Sequence, residues 1–245
     1  MNLLTTLDAQ RIAIRPLLAP SDPQDALTAY YALYHDPNRT RLFLNHAPSG
    51  TVDAFIAVCQ TGQYLFRPLV VMRAPNEQAA GDLFCRALVP GRPYYFIVPL
   101  DLVPAVERFL EMPQPAVNRV YRLDPARFSL ARAVEINVMV QQTPGSGGYP
   151  RWEIRSGGQV VAAAGTNWRS PFCAEVYVYT EPAYRGRGWG RAVVRAATIS
   201  LLRDRLLPLY IVDEANLASI QLAEAAGYID TGRREMAGEA CLPQV

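Results

Sequence analysis

Polar and apolar residues alternate along residues 11–17, and a helical spacing follows over 25–34, where Ala26, Ala29, Tyr30 and Leu33 fall on one face. Runs at 40–44, 52–58 and 66–72 have strand character. Beyond Ala74 and Pro75 the pattern predicts a helix to residue 88, a strand over 94–98, a helix near 103–110 and a strand over 117–123. A second segment opens after Asp124-Pro125. It has a loop at 143–148, a hairpin made of 152–155 and 160–165, and a strand over 174–180. There Glu175, Tyr177 and Tyr179 alternate with Val176 and Val178. A glycine-rich loop, a helix from 189 to about 205, a strand over 207–212, a helix over 217–226 and a last strand from 228 complete the chain. The predicted boundary lies near residue 125. It gives an N-terminal α/β domain over 1–125 and a second domain over 126–245.

Composition narrows the function classes. The 245 residues are 50% hydrophobic, enough for one large core or two modest ones, and the formal charge is +2 with no block of like sign. Neither nucleic acid nor a membrane is therefore the expected partner. No apolar run approaches the roughly 20 residues of a membrane helix, and the first residues lack a secretion signal, so a cytoplasmic location is expected. All 24 basic residues are Arg, so no lysine amine is present to acylate itself. Cys59, Cys85, Cys173 and Cys241 are scattered, and His35 and His46 have no cluster of carboxylates or thiols near them. Free thiols and no metal site are expected.

The chemistry concentrates at Arg185-Gly186-Arg187-Gly188-Trp189-Gly190. Glycines between a strand and a helix let backbone N–H groups approach a ligand, and a helix N-terminus offers unpaired donors and partial positive charge. Val193, Ala197 and Leu201 form an apolar row on that helix, while Arg191 and Arg195 lie on another face, so the helix packs with its end open. Arg185, Arg187 and Arg191 add charge-assisted contacts for a phosphate or pyrophosphate. The spacing is G-x-G-x-G. Arg191 stands where a dinucleotide fingerprint needs its third glycine, and no Gly-Lys-Ser/Thr of a P-loop is present.

Residues 179–190 resemble the R/Q-x-x-G-x-G/A signature of the GNAT N-acetyltransferase superfamily. Asn216-Leu217-Ala218-Ser219, followed by Leu222 and Gly227-Tyr228, is similar to a second motif of that family. The resemblance covers about residues 150–235. It implies an α/β fold of the α+β type: a mixed, mostly antiparallel sheet flanked by helices, with a second, smaller α/β domain at the N-terminus. That N-terminal half has an element order compatible with a degenerate copy of the same fold. Its comparable stretch, 70–83, contains no R-x-x-G-x-G and is not expected to bind cofactor. The resemblance further implies that acetyl-CoA is the co-substrate. The strand carrying Val178, Tyr179 and Thr180 would splay from its neighbour, and backbone groups of that stretch would hold the pantetheine arm. N–H groups of residues 186–190 would hold the pyrophosphate, and Asn216 and Ser219 would lie by the arm. Asn216 and Ser219 also suit helix capping, and both roles are compatible. Trp189 is expected to pack the helix start.

Amide formation from a thioester needs a neutral amine, a held electrophile and a proton for the departing thiolate. Glu175, on the strand facing the thioester, is the leading base; a surface or salt-bridged carboxylate is the alternative, and Glu181, Asp213 and Glu214 rank behind it. Many family members carry a tyrosine acid directly after the position of Leu222, whereas this chain has Ala223. Protonation is then left to solvent, to Ser219 or to a tyrosine such as Tyr179. Residues 126–149 are too few for the strand and two helices that usually precede the hairpin. The first domain is therefore expected to supply part of the acceptor groove. Trp152, Trp168, Phe172, Tyr177 and Tyr179 line a groove or pack the core. The expected activity is acetyl transfer to the primary amine of a small molecule, with a non-catalytic acyl-CoA-binding module as the alternative. A homodimer is compatible with the sequence.

Overall fold

A computed structural model describes residues 6–62, 67–130 and 137–244. By packing, the chain divides into two compact units, one of Met1–Asn118 with Arg234–Val245, the other of Arg119–Arg233. Phe66, at the start of the third predicted strand, and residues 131–136 of the short segment before the hairpin lie outside the described residues.

The first unit opens with α1 (Leu7–Ile14) and α2 (Ala26–Ala29), which runs into one π turn at Tyr30–Tyr34. The alternating stretch at its start is helical rather than extended. Thr6 caps α1 by accepting from the Ala9 N–H at 3.3 Å, and Asp8 lies in the first turn, where a negative charge favours the helix. Next come β1 (Thr40–His46), β2 (Val52–Cys59), β3 (Leu69–Arg73), α3 (Glu77–Ala87), β4 (Pro93–Pro99) and α4 (Val103–Phe109). β1, β2 and β3 pair antiparallel in sequence, and β4 then joins β3 in parallel, with α3 as the crossover. β5 (Ala116–Leu123) carries the chain into the second unit.

The second unit continues with α5 (Pro125–Leu130), β6 (Gln141–Pro144), β7 (Pro150–Ser156), β8 (Gln159–Arg169), β9 (Cys173–Thr180), α6 (Trp189–Arg203), β10 (Leu207–Asp213) and α7 (Leu217–Ala225). α5 and β6 lie in the segment that sequence read as a loop-bearing connection. β11 (Tyr228–Cys241) begins in this unit and ends in the first. The sheet order here is β11-β5-β10-β9-β8-β7-β6. β6 to β9 pair antiparallel, and β10 joins β9 in parallel after the α6 crossover. The sheet is thus mixed and mostly antiparallel, as the resemblance implied.

The two units share one plan: three antiparallel strands, preceded in the second unit by the extra strand β6, then a helix, a parallel strand, a helix and a closing strand. The closing strands are exchanged. β5 follows the first helix pair yet stands beside β10, while residues 235–241 of β11 pair with β4. Met236 and Ala240 accordingly belong to the core that contains Phe84 and Phe96. The core of the second unit gathers around Val193, Ala197 and Leu201, the row read from sequence, with Tyr121, Val176 and Tyr228.

The chain leaves α7 through Gly227, which has φ +93°; a Cβ there would lie 2.7 Å from the Phe128 Cα and 2.8 Å from its N. Both the left-handed backbone and the contact with main-chain atoms require glycine. Gly227→Ala is expected to lower stability by about 2–3 kcal/mol, read as a lower urea midpoint at unchanged slope; an unmoved midpoint would show that Phe128 yields freely.

Candidate active site

β9 and β10 pair at three positions, Cys173–Leu207, Ala174–Pro208 and Glu175–Leu209, although β9 continues to Thr180 and β10 to Asp213. The strands part at Glu175. On the opposite side β9 stays paired with β8 as far as Thr180. Backbone groups of β9 that turn toward β10 beyond Glu175 are thereby left to another partner.

The loop after β9 makes one 3₁₀ turn at Pro182–Tyr184, with the Arg185 guanidinium Nε donating to the Thr180 carbonyl at 3.3 Å. Gly186 and Gly188 then adopt φ of +77° and +76°, which turns the chain into α6. Gly188 is the N-cap residue and has no side chain to cap with, so the first-turn N–H groups of a 15-residue helix stay open. α3, the corresponding helix of the first unit, differs: the Asn76 side chain accepts from the Ala79 N–H at 2.9 Å and closes its end. Gly190 has another reason to lack a side chain. A Cβ there would lie 2.8 Å from the Thr180 Oγ1 and 2.9 Å from the Leu222 Cδ1, so α6 sits directly on β9 and α7.

These features enclose a cleft of about 490 Å³. Val178 and Thr180 line it from β9, Arg185, Gly186, Gly188, Trp189, Gly190 and Arg191 from the loop and α6, and Asn216 and Ser219 from α7. Tyr184, Ala218, Leu222 and Ala225, to which the sequence assigned no site role, complete the wall. Two named side chains stand elsewhere. Tyr179 is exposed and donates to Glu181, and Arg187 lies over the rings of Tyr184 and Trp189, 4.9 and 5.3 Å from their centroids. Trp189 is buried and stacks on Tyr184 at 5.3 Å, packing the helix start. Asn216 caps α7, its Oδ1 accepting from the Ser219 N–H at 3.1 Å.

A second cleft of about 200 Å³ meets the first at Val178, Asn216 and Ser219. Glu175, Tyr177, Asn167 and Asp213 line it, with Tyr210. Its charged lining residues are two carboxylates and no arginine. Asn167 Nδ2 donates to Glu175 Oε1 at 2.9 Å, which orients the carboxylate. Tyr210, buried in β10, was missed in sequence because an aromatic in a strand reads as core. Its hydroxyl lies 2.7 Å from the Ser219 Oγ. Burial raises the Tyr210 pKa above the ordinary phenol value; the Ser219 bond lowers it in part, and the Glu175 charge raises it further. Of the aromatics considered, Trp152 and Trp168 are core, Phe172 is exposed and Tyr177 lines this cleft. Ala223 is fully buried.

Residues 117–228 match the family model described as "Acetyltransferase (GNAT) family". A search of curated proteins found no match. Among solved structures, a GCN5-related N-acetyltransferase from Sphaerobacter thermophilus superposes with TM-score 0.62 at 12% identity, covering 96% of this chain and 93% of its own. A GNAT-family acetyltransferase from Colwellia psychrerythraea gives TM-score 0.56 at 13% identity, with 98% of each chain covered. A tandem GNAT protein from the clavulanic acid biosynthesis pathway gives 0.63 at 12% identity, covering 100% of this chain and 97% of its own. At these identities the structures establish a shared fold. The likeness to the GNAT acetyltransferase family is carried by the family model, over residues 117–228.

Proposed function

We propose that the protein transfers an acetyl group from acetyl-CoA to the primary amine of a small molecule. The observation that carries this reading is the meeting of two unlike clefts at Val178, Asn216 and Ser219. One is built for an anion on a linear arm: open N–H groups at residues 186–190, with Arg185 and Arg191 beside them. The other is acidic and suits a protonated amine. In this reading β9 from Val178 to Thr180 bonds the amide-bearing arm, and Asn216 and Ser219 border it. Glu175 takes the amine's proton, directly or through water, as nitrogen attacks the thioester carbon; holding both reactants in place supplies much of the acceleration. The uncapped end of α6 against the capped end of α3 supports cofactor binding in the second unit alone. The common plan of the two units, and likeness to a tandem GNAT protein over the whole chain, support a degenerate first copy. A cytoplasmic site of action suits the reading.

Ala223 favours a second reading, a module that binds acyl-CoA without turnover. Thiol release with an amine panel separates them: binding of acetyl-CoA with no release on any amine favours the module. Two substitutions test the site. A side chain on Gly186 would meet no atom within 4 Å, and its cost is the strain of φ +77°. Gly186→Glu is expected to weaken acetyl-CoA binding, by calorimetry, at least tenfold more than Gly186→Ala, which bears the same backbone strain; equal affinities would displace the pyrophosphate from this loop. Glu175→Gln is expected to lower kcat by about 10²-fold with cofactor affinity unchanged, and a wild-type rate would remove Glu175 from the chemistry.

A further inference from the structure

The second unit holds two hydroxyl pairs, and they differ in one respect. In the first, Tyr228 and Thr198 meet at 2.8 Å, and Thr198 Oγ1 donates onward to the Val194 carbonyl at 2.8 Å. Tyr228 donates to Thr198, so both protons are used inside a fully buried pair. In the second, Tyr210 and Ser219 meet at 2.7 Å, and neither hydroxyl has another hydrogen-bond partner among the described residues. Two hydroxyls carry two protons and the bond between them uses one. The other has no acceptor among the described residues. Ser219 lines both clefts whereas Tyr210 lines only the acidic one, so the Ser219 Oγ is the member of the pair that faces their junction.

We propose that Tyr210 and Ser219 form a proton relay to the departing sulfur, replacing the acid that Ala223 cannot supply. This rests on the acyl-transfer reading above. The ammonium first releases one proton to solvent, and the C–N bond forms as the resulting neutral amine attacks. When the C–S bond breaks, its electron pair goes to sulfur, Ser219 gives its proton to that sulfur, and Tyr210 gives its proton to Ser219. The proton that left the amine for Glu175 returns to Tyr210 through water in the shared cleft, so the cycle closes with one amide and one neutral thiol. Ser219 is the catalytic residue, touching the sulfur. Tyr210 is a positioning and donor residue acting through it. Burial and the facing Glu175 keep Tyr210 in its protonated, donating form across neutral pH. Tyr179, the tyrosine considered from sequence, turns its hydroxyl to Glu181 and lines neither cleft.

The test has two readouts on the full chain. In the first, bound coenzyme A is titrated by thiolate absorbance. A hydroxyl donor stabilises the thiolate, so Ser219→Ala is expected to raise the thiol's midpoint by about one pH unit and Tyr210→Phe by a smaller step. In the second, steady-state kinetics with acetyl-CoA should show kcat lowered about tenfold or more by either variant, with KM for acetyl-CoA within about twofold and Ser219→Thr retaining the rate. A structural role alone would move KM and melting temperature together and leave the thiol midpoint in place. The relay is overturned if both variants keep the wild-type kcat, or if neither moves the midpoint. If the wild-type protein releases no coenzyme A with any amine, acyl transfer fails as the reading and the relay falls with it, whereas release by the wild type with an unmoved kcat or midpoint in the variants overturns the relay alone. Failure to bind coenzyme A overturns both.

Discussion

The parting of β9 from β10 after Glu175 is the constraint on which the rest of the second unit depends. Buried backbone polar groups require partners, and two parallel strands that separate leave a row of them facing a gap. That gap is held open rather than closed. α6 presses against β9 and α7 through Gly190, where no side chain fits, and α7 starts at the mouth with its first turn capped by Asn216. The fold thus concentrates unsatisfied donors at one place, along β9 and at the N-terminus of α6, and leaves two clefts there instead of one.

Electrostatics divide those clefts without any long-range charge on the molecule. The larger receives positive character from Arg185, Arg191 and the helix end, and the smaller negative character from Glu175 and Asp213. With a formal charge of only +2, the contrast between the clefts arises locally. Ser219 stands at the seam between the two, which is why a short hydroxyl there has more chemical reach than its size suggests.

What was legible in the sequence follows from what leaves a compositional trace. Positive φ at Gly186 and Gly188 and tight contact at Gly190 each demand glycine, so the loop announced itself; the apolar row of α6 did so through its period. Asn216 was legible as a cap, because capping asks for its residue type. Tyr210 was not, since a tyrosine in a strand has the same appearance whether its hydroxyl is buried idle or aimed at a cleft. α1 was obscured by a short alternation that a Thr6 cap overrides, and β6 by a loop rich in glycine and proline. The strand exchange leaves no local mark at all, because a strand's pattern records its two faces but not which neighbour it will pair with.

That exchange bears on how the chain can acquire its structure. Residues 235–241 supply a strand and core side chains to a unit otherwise made of residues before 119, so the most distant parts of the chain meet in one hydrophobic core. Contacts of such sequence separation form late and slowly, because the intervening loop must close first. A ribosome emitting this chain would expose the edge of β4 for the whole time needed to make the second unit. The first unit therefore reaches its finished sheet only after the second has been synthesised, and its order becomes a report on the completeness of the other.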